Sequence, residues 1–352
     1  MITRDNFSED HVRKLQEKNH RDPLLIERTI FAFGLLEALV KVGLPFIFKG
    51  GTSLMLLLPK PMRLSTDIDI IVKPGTDIES FIKKAKAIFP FKDGREQIRE
   101  KKGNIEKRHF KFIYDSHVSA PESLYVLLDV LFEENHYQSL TQREIKNDLL
   151  MTEGENFVVS LPTIDCVLGD KLTAFAPHTT GIGFGKKNLE IMKQFFDICT
   201  LIDGFSDFDC VLKTYKRICE AEIAYREIDC TPKKALMDTL NAALCIATRG
   251  NVQGGDYQNY LEGTNKVKNH IFAKGFSMEK ASRLAPKLIY MVACLLVEIP
   301  FEKVVEGKEY CNENIVRPDF KKLKGLRNID SVGYSYIVKA DRLLRNFEML
   351  DV

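Results

Sequence analysis

The sequence predicts an α/β core with a mixed sheet flanked by helices over residues 1–160, followed by an α-helical domain over residues 161–352. Three observations lead to this fold class. Strand-like apolar runs alternate with helix-like runs in the first half, which is typical of an α/β domain. In the second half, nearly every segment has helical periodicity. A chain of 352 residues also exceeds the size at which one hydrophobic core usually stops growing, so two domains are expected.

The first predicted element is a long helix that begins at Pro23. Apolar residues recur at helical spacing over residues 24–40, and Asp22 can accept hydrogen bonds from the first free N–H groups. Pro23 suits the first helical position because its φ is already helical. Gly43 is predicted to close the segment.

Strands and helices then alternate along the first domain. Strands are predicted at residues 46–49, 67–72, 108–115, 123–132 and 156–160. Helices are predicted at residues 52–58, 76–88 and 140–149. The helices predicted in the second domain include residues 163–176, 188–203, 232–248, 277–298 and 336–347.

Composition is that of an ordinary globular protein, with 45% hydrophobic and 28% charged residues. The net charge is only +2, so a contact with nucleic acid has to come from a local patch. Residues 92–111 are the candidate, with eight Lys or Arg against four acidic residues. A solvated hairpin or helix face explains the same segment equally well.

The eight cysteines stand singly and form no CxxC or Cys/His ligand spacing, which predicts buried free thiols rather than zinc sites or disulfides. The polar N-terminus lacks the apolar stretch of a signal peptide. The longest apolar runs are too short to span a bilayer. We therefore expect a cytoplasmic protein without membrane contact.

A glycine turn follows the strand predicted at residues 46–49. The turn consists of Gly50, Gly51, Thr52 and Ser53. Two glycines leave room for a phosphate, and the helix that follows would present free N–H groups and its positive dipole end to an anion. An isolated glycine pair is more often an ordinary tight turn.

Two carboxylates follow the glycine turn at a spacing of two residues. Asp67 and Asp69 would project from the same face of a strand, and two like charges placed so need a cation between them. Oxygen ligands favour Mg²⁺, with Mn²⁺ as a second choice, and the phosphates of an NTP would complete the coordination. Asp-x-Asp alone is more often a solvated strand end. Its combination with the glycine turn, with Arg63 and Ser65 between them, favours a nucleotide site.

Asp129 is the predicted third carboxylate. It is the only charged residue in the apolar run of residues 124–132, where an unpaired carboxylate would be costly to bury. A place at an open strand end facing a metal ion avoids that cost, so a metal ligand is favoured over a structural charge. Two-metal phosphoryl transfer needs such an additional ligand.

A second pair of charges is predicted in the helical domain. Lys171 lies on an otherwise apolar helix, and Asp197 lies on the next helix. A lysine on an apolar face needs an anion, which could be a triphosphate or a carboxylate. Lys171 could therefore bind nucleotide phosphate while Asp197 orients it, or the two could form a plain interhelical ion pair. Residues 178–187 between the two helices are predicted to be a flexible connection, because they lack the spacing of a phosphate loop.

The motif Gly-Gly-Thr-Ser-Leu, followed by Arg-x-Ser-x-Asp-x-Asp, resembles the signature of the AbiEii/AbiGii abortive-infection toxins. These are bacterial toxins with a DNA polymerase β-like nucleotidyltransferase core. The resemblance covers about residues 25–205. It implies that Lys171 matches a lysine involved in activity, and that Lys193 and Asp197 match a Lys-Asp-x-x-Asp pattern on the following helix. The chain has Gln194 where that pattern has its first aspartate.

The resemblance implies a toxin that transfers NMP from an NTP to RNA, at the 3′ end of tRNA, and that has a cognate antitoxin. In this hypothesis Asp67, Asp69 and Asp129 bind Mg²⁺, and the glycine turn with Arg63 holds the phosphates. Lys171 offsets charge on the leaving pyrophosphate. Transfer to a small molecule or a protein side chain, and a non-catalytic nucleotide-binding module suggested by Gln194, remain alternatives.

Overall fold

The computed structural model describes residues 1–98, 104–119 and 123–347. The chain divides into two compact units. The first unit contains Met1–Thr163 together with Asn269–Lys274, and the second contains Ile164–Lys268 and the chain from Gly275 onward. The return of Asn269–Lys274 to the first unit has no counterpart in the predicted division at residue 160.

The first unit contains helices and strands in alternation. Its α-helices are α1 (Glu9–Asn19), α2 (Pro23–Lys41), α3 (Gly50–Leu57) and α4 (Ile78–Ala85). Its strands are β1 (Ile47–Lys49), β2 (Ile68–Val72), β3 (Asp93–Glu96), β4 (Glu106–Asp115), β5 (Ser123–Phe132), β6 (Leu140–Glu144) and β7 (Val158–Pro162). As predicted, Asp22 caps α2 by accepting hydrogen bonds from the N–H groups of Leu24 and Leu25.

Five of these strands form one mixed sheet in the order β1-β2-β5-β4-β3. Strands β2 and β5 are parallel, and the other neighbours are antiparallel. Strands β6 and β7 form a separate antiparallel pair. The predicted fold class, a mixed sheet flanked by helices and followed by a helical region, is confirmed.

Strand alternation gives the sheet one buried face and one partly open face. The even-numbered residues from 110 to 114 in β4 and from 126 to 132 in β5 are buried, whereas the odd-numbered residues between them keep partial exposure. The buried face packs against α2, where the Phe31 ring stacks on Tyr114 with centroids 3.7 Å apart. Asp129 belongs to the partly open face.

The predicted helix at residues 140–149 is wrong. Residues Leu140–Glu144 form β6, which pairs with β7. The hydrogen bonds that β7 offers to β6 decide the local conformation of residues 140–144.

Other elements differ from the prediction in smaller ways. Helix α3 begins at Gly50 rather than at residue 52. Strand β3 is polar and gains its regular structure only through pairing with β4, so its sequence carries no strand signal of its own. The helix α1 was also not anticipated.

The second unit is helical in its described residues. It contains α5 (Ile164–Ala174), α6 (Asn188–Leu201), α7 (Phe208–Arg226), α8 (Pro232–Ala247), α9 (Tyr257–Val267), α10 (Met278–Val297), α11 (Leu326–Ile329) and α12 (Ser331–Phe347). Helix α10 packs against α8 and α12, and α5 packs against α7. Gly169 allows the last contact, because a Cβ there would lie 2.8 Å from the Val211 carbonyl oxygen.

The eight cysteines are free, and five of them are buried: Cys166, Cys199, Cys219, Cys245 and Cys294. Burial raises the pKa of the Cys199 thiol to about 12, so this thiol stays protonated and behaves as a small apolar group. Among the described residues, no helix is both long enough and apolar enough to span a membrane.

Candidate active site

The glycine turn lies directly against Asp69. Gly50 has φ +80°, and a Cβ built there would stand 2.0 Å from the Asp69 Oδ2 atom. Only glycine meets both conditions, because a side chain would be strained by the backbone and would collide with the carboxylate. The first residue of α3 is therefore held next to Asp69.

Arg63 and Ser65 reach the second glycine of the turn. A Cβ at Gly51 would lie 2.5 Å from Arg63 Nη2 and 2.8 Å from Ser65 Oγ. Arg63 is only 5% exposed, and its Nη1 donates to the Leu64 carbonyl at 3.1 Å. The predicted phosphate-binding side chains thus converge on the start of α3.

The backbone around Arg63 is held by the returning segment Asn269–Lys274. Arg63 forms an antiparallel bridge with Ile271. The Leu64 N–H donates to the His270 carbonyl at 2.8 Å, and the Phe272 N–H donates to the Met62 carbonyl at 3.0 Å. A segment that lies far later in the chain therefore holds the backbone from which the Arg63 side chain extends.

Thr52 and Ser53 are fully buried, and their hydroxyls act within the protein. The Thr52 hydroxyl donates to the Asp67 carbonyl at 2.6 Å, which ties α3 to the start of β2. The Ser53 hydroxyl donates to the Gly50 carbonyl at 2.8 Å, which stabilises the turn. Direct nucleotide contact through these hydroxyls stays a prediction.

Asp69 and Asp129 occupy paired positions on the parallel strands β2 and β5. The same row continues to Lys49 on β1, which pairs with Asp69, and to His109 on β4, which pairs with Asp129. Paired residues share a face of the sheet, and neighbouring strands are about 4.8 Å apart. The structure therefore places the predicted third carboxylate beside the predicted second one.

Asp67 precedes β2, and its side chain is more open than that of Asp129. Its side chain is 44% exposed, and Oδ1 lies 3.7 Å from Arg28 Nη2. The Thr66 hydroxyl lies 3.5 Å from the same oxygen. Asp67 thus lies at the rim of the row, with the guanidinium of Arg28 on α2 nearby.

The oxygen donors of this row suit a hard cation such as Mg²⁺, but they do not form a closed cage. Across residues 1–98, 104–119 and 123–347, no group of three His, Cys, Asp or Glu side chains could hold a metal ion. The Asp129 Oδ1 atom is 2.6 Å from His109 Nδ1, and Asp67 faces Arg28. The donor set fits an ion held by one or two carboxylates, with water and substrate phosphates in the other positions.

His109 was missed by sequence reasoning. Its only signal was its odd-numbered place on β4, which puts it on the partly open face of the sheet. The hydrogen bond to Asp129 fixes the orientation of that carboxylate, as a ligand-orienting neighbour does in metal sites. Lys49 was also missed. Its place in the row is set by strand register, and register depends on partner strands that are distant in sequence.

In the second unit, Lys171 and Asp197 form a buried ion pair. The two residues are 5% and 2% exposed, and Lys171 Nζ lies 2.8 Å from Asp197 Oδ2. Lys171 Nζ also donates to Gln194 Oε1 at 3.0 Å. Of the two roles that the sequence left open for Lys171, the ion pair is therefore present, and phosphate binding stays a prediction.

The comparison with protein families decides the assignment. Residues 34–284 match the family described as "Nucleotidyl transferase AbiEii toxin, Type IV TA system", which is more than half of the chain. The chain belongs to the AbiEii family. It is therefore a nucleotidyltransferase of a toxin family, a class of enzyme that takes an NTP and generally a divalent metal ion.

Other comparisons add less. Among curated proteins, no sequence matches the chain. Among solved structures, an antigenic nucleotidyltransferase-like protein from Paracoccidioides brasiliensis is 14% identical and covers 61% of this chain and 90% of its own. The TM-score is 0.34, so this likeness carries no structural argument.

Gln194 is where this AbiEii chain departs from the pattern expected for its family, and the structure gives it a clear role. Its amide oxygen accepts a hydrogen bond from Lys171 beside Asp197. An aspartate at this position would place two carboxylates on one buried ammonium. Lys193, the other residue of the pattern, pairs with Glu190 on the same helix at 3.2 Å.

Two arginines of the basic segment 92–111 of this AbiEii protein pair with acidic residues where the structure describes the segment. Arg95 pairs with Asp93 at 2.6 Å, and Arg108 pairs with Glu96 at 2.6 Å and Glu79 at 2.8 Å. The hydrogen bonds from Arg95 and then Lys86 lower the pKa of Asp93 to about 2, so the acid stays charged. Residues 99–103 lie outside the described residues.

The segment 178–187 is an irregular connection between α5 and α6, which agrees with the prediction that it is no phosphate loop. It is anchored by polar contacts at its start. The backbone N–H of His178 donates to Asp238 at 2.8 Å, and its Nε2 atom lies 2.7 Å from Asp256 Oδ2.

Replacing Gly50 with alanine should displace the Asp69 carboxylate and reduce pyrophosphate release from NTP by at least tenfold. Gly75→Ala is the matched control, because Gly75 has φ +81° with nothing within 4 Å of an added Cβ. Gly75→Ala should lose about 1–2 kcal/mol in urea unfolding from left-handed backbone strain, and Gly50→Ala should lose more because the Asp69 carboxylate must also move. Equal activities of the two variants would contradict the role given to the Gly50–Asp69 contact.

Replacing Lys171 with methionine should leave Asp197 buried without its cation and cost about 3–5 kcal/mol of unfolding free energy. The double variant Lys171→Met/Asp197→Leu should recover most of that loss, because it buries no charge. Urea unfolding measures both. Normal NTP turnover in a stable double variant would show that the pair is structural only, whereas loss of turnover would support contact with substrate.

Proposed function

We propose that the protein is the toxin of a type IV toxin–antitoxin pair and transfers NMP from an NTP to the 3′ end of an RNA, with tRNA as the acceptor. The observation that carries the proposal is the pairing of Asp69 with Asp129 on parallel strands beside the Gly50 turn. Two carboxylates at neighbouring positions, next to a side-chain-free helix start, suit a metal–triphosphate complex.

Asp69 and Asp129 would hold Mg²⁺ between them, with Asp67 at the rim as a further ligand through water or after a side-chain rotation. A bound Mg²⁺ would neutralise triphosphate charge and lower the pKa of the acceptor hydroxyl. His109 would keep the Asp129 carboxylate pointed along the row through its hydrogen bond.

The start of α3 would hold the phosphates of the NTP. Gly50 and Gly51 stand at the positive end of the helix, and the missing side chain of Gly51 lets Arg63 and Ser65 approach the backbone there. Arg63 adds a guanidinium whose planar donors suit phosphate oxygens. Because Arg63 is buried and fixed by the returning segment, little conformational entropy is lost when it binds a phosphate.

An aromatic and cationic surface on the same face of β5 as Asp129, which includes Lys111 from the end of the basic segment, supports a nucleic-acid acceptor. Tyr125 lies on the same face of β5 as Asp129, is 39% exposed, and is about 13 Å away along the strand. Lys111 Nζ stands 4.2 Å from the Tyr125 ring centroid, and the Arg28 guanidinium stands 5.9 Å away. Rings flanked by cations are typical binding surfaces for single-stranded nucleic acid.

A cognate antitoxin is the second proposed partner, because a toxin of this type is expressed together with a protein that limits its activity. Membership of a type IV toxin family supports this part of the proposal. The alternatives, transfer to a small molecule or a protein side chain, would leave the Tyr125 surface without a role. Gln194, which suggested a non-catalytic module, accepts a hydrogen bond from Lys171, and this structural role supports a catalytic protein over that alternative.

Asp69→Asn should abolish transfer of label from α-³²P NTPs to total tRNA in the presence of Mg²⁺, while the melting temperature stays within a few degrees. The loss should reach orders of magnitude because the substitution removes a negative charge from the proposed binding site of the metal–triphosphate complex. Asp148→Asn, an exposed carboxylate of the same unit, is the control and should label as the wild type does. Labelling by Asp69→Asn at the wild-type level would refute the assignment.

Tyr125→Ala should raise KM for the RNA acceptor about tenfold or more and leave KM for the NTP unchanged, since stacking on one aromatic ring contributes about 1–3 kcal/mol. Tyr125→Phe keeps the ring and serves as the control, with a KM for RNA within about twofold of wild type. Steady-state kinetics with tRNA and with each NTP measure both constants. An equal effect of Tyr125→Ala on both substrates would place the residue elsewhere in the reaction.

A further inference from the structure

The starts of helices α5 and α7 bring two thiols into contact. Cys166 lies in the first turn of α5, and Cys210 lies in the first turn of α7. Their Sγ atoms are 3.5 Å apart, although the residues are 44 positions apart in sequence. A disulfide bond measures about 2.05 Å, so the two sulfur atoms need to approach by only about 1.5 Å, which side-chain rotation can supply. None of the roles assigned above uses either thiol.

Contacts on both sides of this cysteine pair hold the two helices together. Before it, Asp165 Oδ1 accepts hydrogen bonds from the N–H groups of Ser206 at 2.7 Å and Asp207 at 3.1 Å. After it, the missing side chain of Gly169 lets α5 lie against the Val211 carbonyl of α7. Close approach of two backbones is what a disulfide needs, because Cα atoms more than about 7 Å apart cannot be bridged.

The two thiols differ in exposure. Cys210 is partly exposed, whereas Cys166 is fully buried and accepts a hydrogen bond from the Thr214 hydroxyl at 3.4 Å. A small oxidant that arrives from solvent therefore meets Cys210 first, with the second thiol in contact behind it. An accessible thiol beside a second thiol that can complete a disulfide is the arrangement found in peroxide-sensitive proteins.

We propose that Cys210 and Cys166 form a site of reversible oxidation by hydrogen peroxide. The Cys210 sulfur attacks one peroxide oxygen, the O–O bond breaks, and water leaves with the thiol proton, so that Cys210 becomes a sulfenic acid. The Cys166 sulfur then attacks the Cys210 sulfur. The S–S bond forms, the S–O bond breaks, and a second water leaves with the Cys166 proton. Both sulfur atoms are oxidised, the peroxide is reduced, and a dithiol reductant restores the pair.

The disulfide would close a segment of the chain that contains Lys171 and the whole of α6, with Gln194 and Asp197. Closing a segment of this length restricts the unfolded chain more than the folded one, because the two thiols are already in contact in the folded unit. Oxidation should therefore make the helical unit harder to unfold. This inference does not depend on the transfer reaction proposed above.

The test treats the reduced full-length protein with hydrogen peroxide, blocks the remaining thiols with N-ethylmaleimide in urea, and digests the product with trypsin. Mass spectrometry should find one predominant pair of linked peptides, joining Cys166 to Cys210, and dithiothreitol should separate them. Cys230 and Cys311 are also partly exposed and serve as internal references. Recovery of both paired cysteines as maleimide adducts, at a peroxide concentration that oxidises the reference cysteines, would overturn the proposal.

Three variants separate the two steps. Cys166→Ala should stop at the sulfenic acid, which dimedone traps on Cys210. Cys210→Ala should give no disulfide and no dimedone adduct on Cys166. Cys230→Ala removes a partly exposed thiol outside the pair and should form the disulfide as the wild type does. A disulfide between Cys166 and another cysteine in Cys210→Ala would overturn the assignment of the pair.

Thermal unfolding tests the structural consequence. The oxidised wild-type protein should melt at least about 5 °C above the reduced protein, and dithiothreitol should abolish the difference. Cys210→Ala should melt at the same temperature with and without peroxide. Equal melting temperatures of oxidised and reduced wild-type protein would overturn the stabilising effect of the bond.

Discussion

The proposed active site depends on one steric constraint: Gly50 carries no side chain, so its backbone can lie directly against the carboxylate of Asp69. That close approach places the first turn of α3 against β2, and the Thr52 hydroxyl reinforces it through the Asp67 carbonyl. The parallel register of β2 and β5 then brings Asp129 beside Asp69. A helix start that attracts anions and a pair of carboxylates that attracts cations thus become neighbours, which is the charge arrangement that a metal–triphosphate complex needs.

Sequence patterns predicted the fold class and much of this neighbourhood, because the strongly alternating strand β5 and the capped helix α2 carry local signals. The Gly50 turn and Asp69 were also recognisable as a motif. The register that places His109 against Asp129 was not predictable, since it is set by hydrogen bonds between strands far apart in sequence. Strand β6 was mistaken for a helix because its conformation is likewise set by pairing, in this case with β7.

The two charged centres of the protein differ in how they are built. Asp67, Asp69 and Asp129 keep partial exposure and can exchange partners, as groups that meet a substrate must. Lys171 and Asp197 are buried, and Gln194 completes the hydrogen bonding of the lysine. Buried ion pairs add little net stability, but replacing only one partner is costly because the other charge stays buried without compensation. Such pairs therefore restrict single substitutions at either position. The change from aspartate to Gln194 keeps the acceptor and removes one charge from this buried site.

Six residues, Asn269–Lys274, return to the first unit, so the two units are interleaved along the chain. The chain completes most of the sheet unit, enters the helical unit, comes back to hold the backbone of Arg63, and leaves again. Neither unit can therefore be duplicated, fused to another gene or shuffled as one uninterrupted stretch of coding sequence without breaking that bridge. The family match, which continues to residue 284 and so includes the returning segment, is what such joint inheritance would produce.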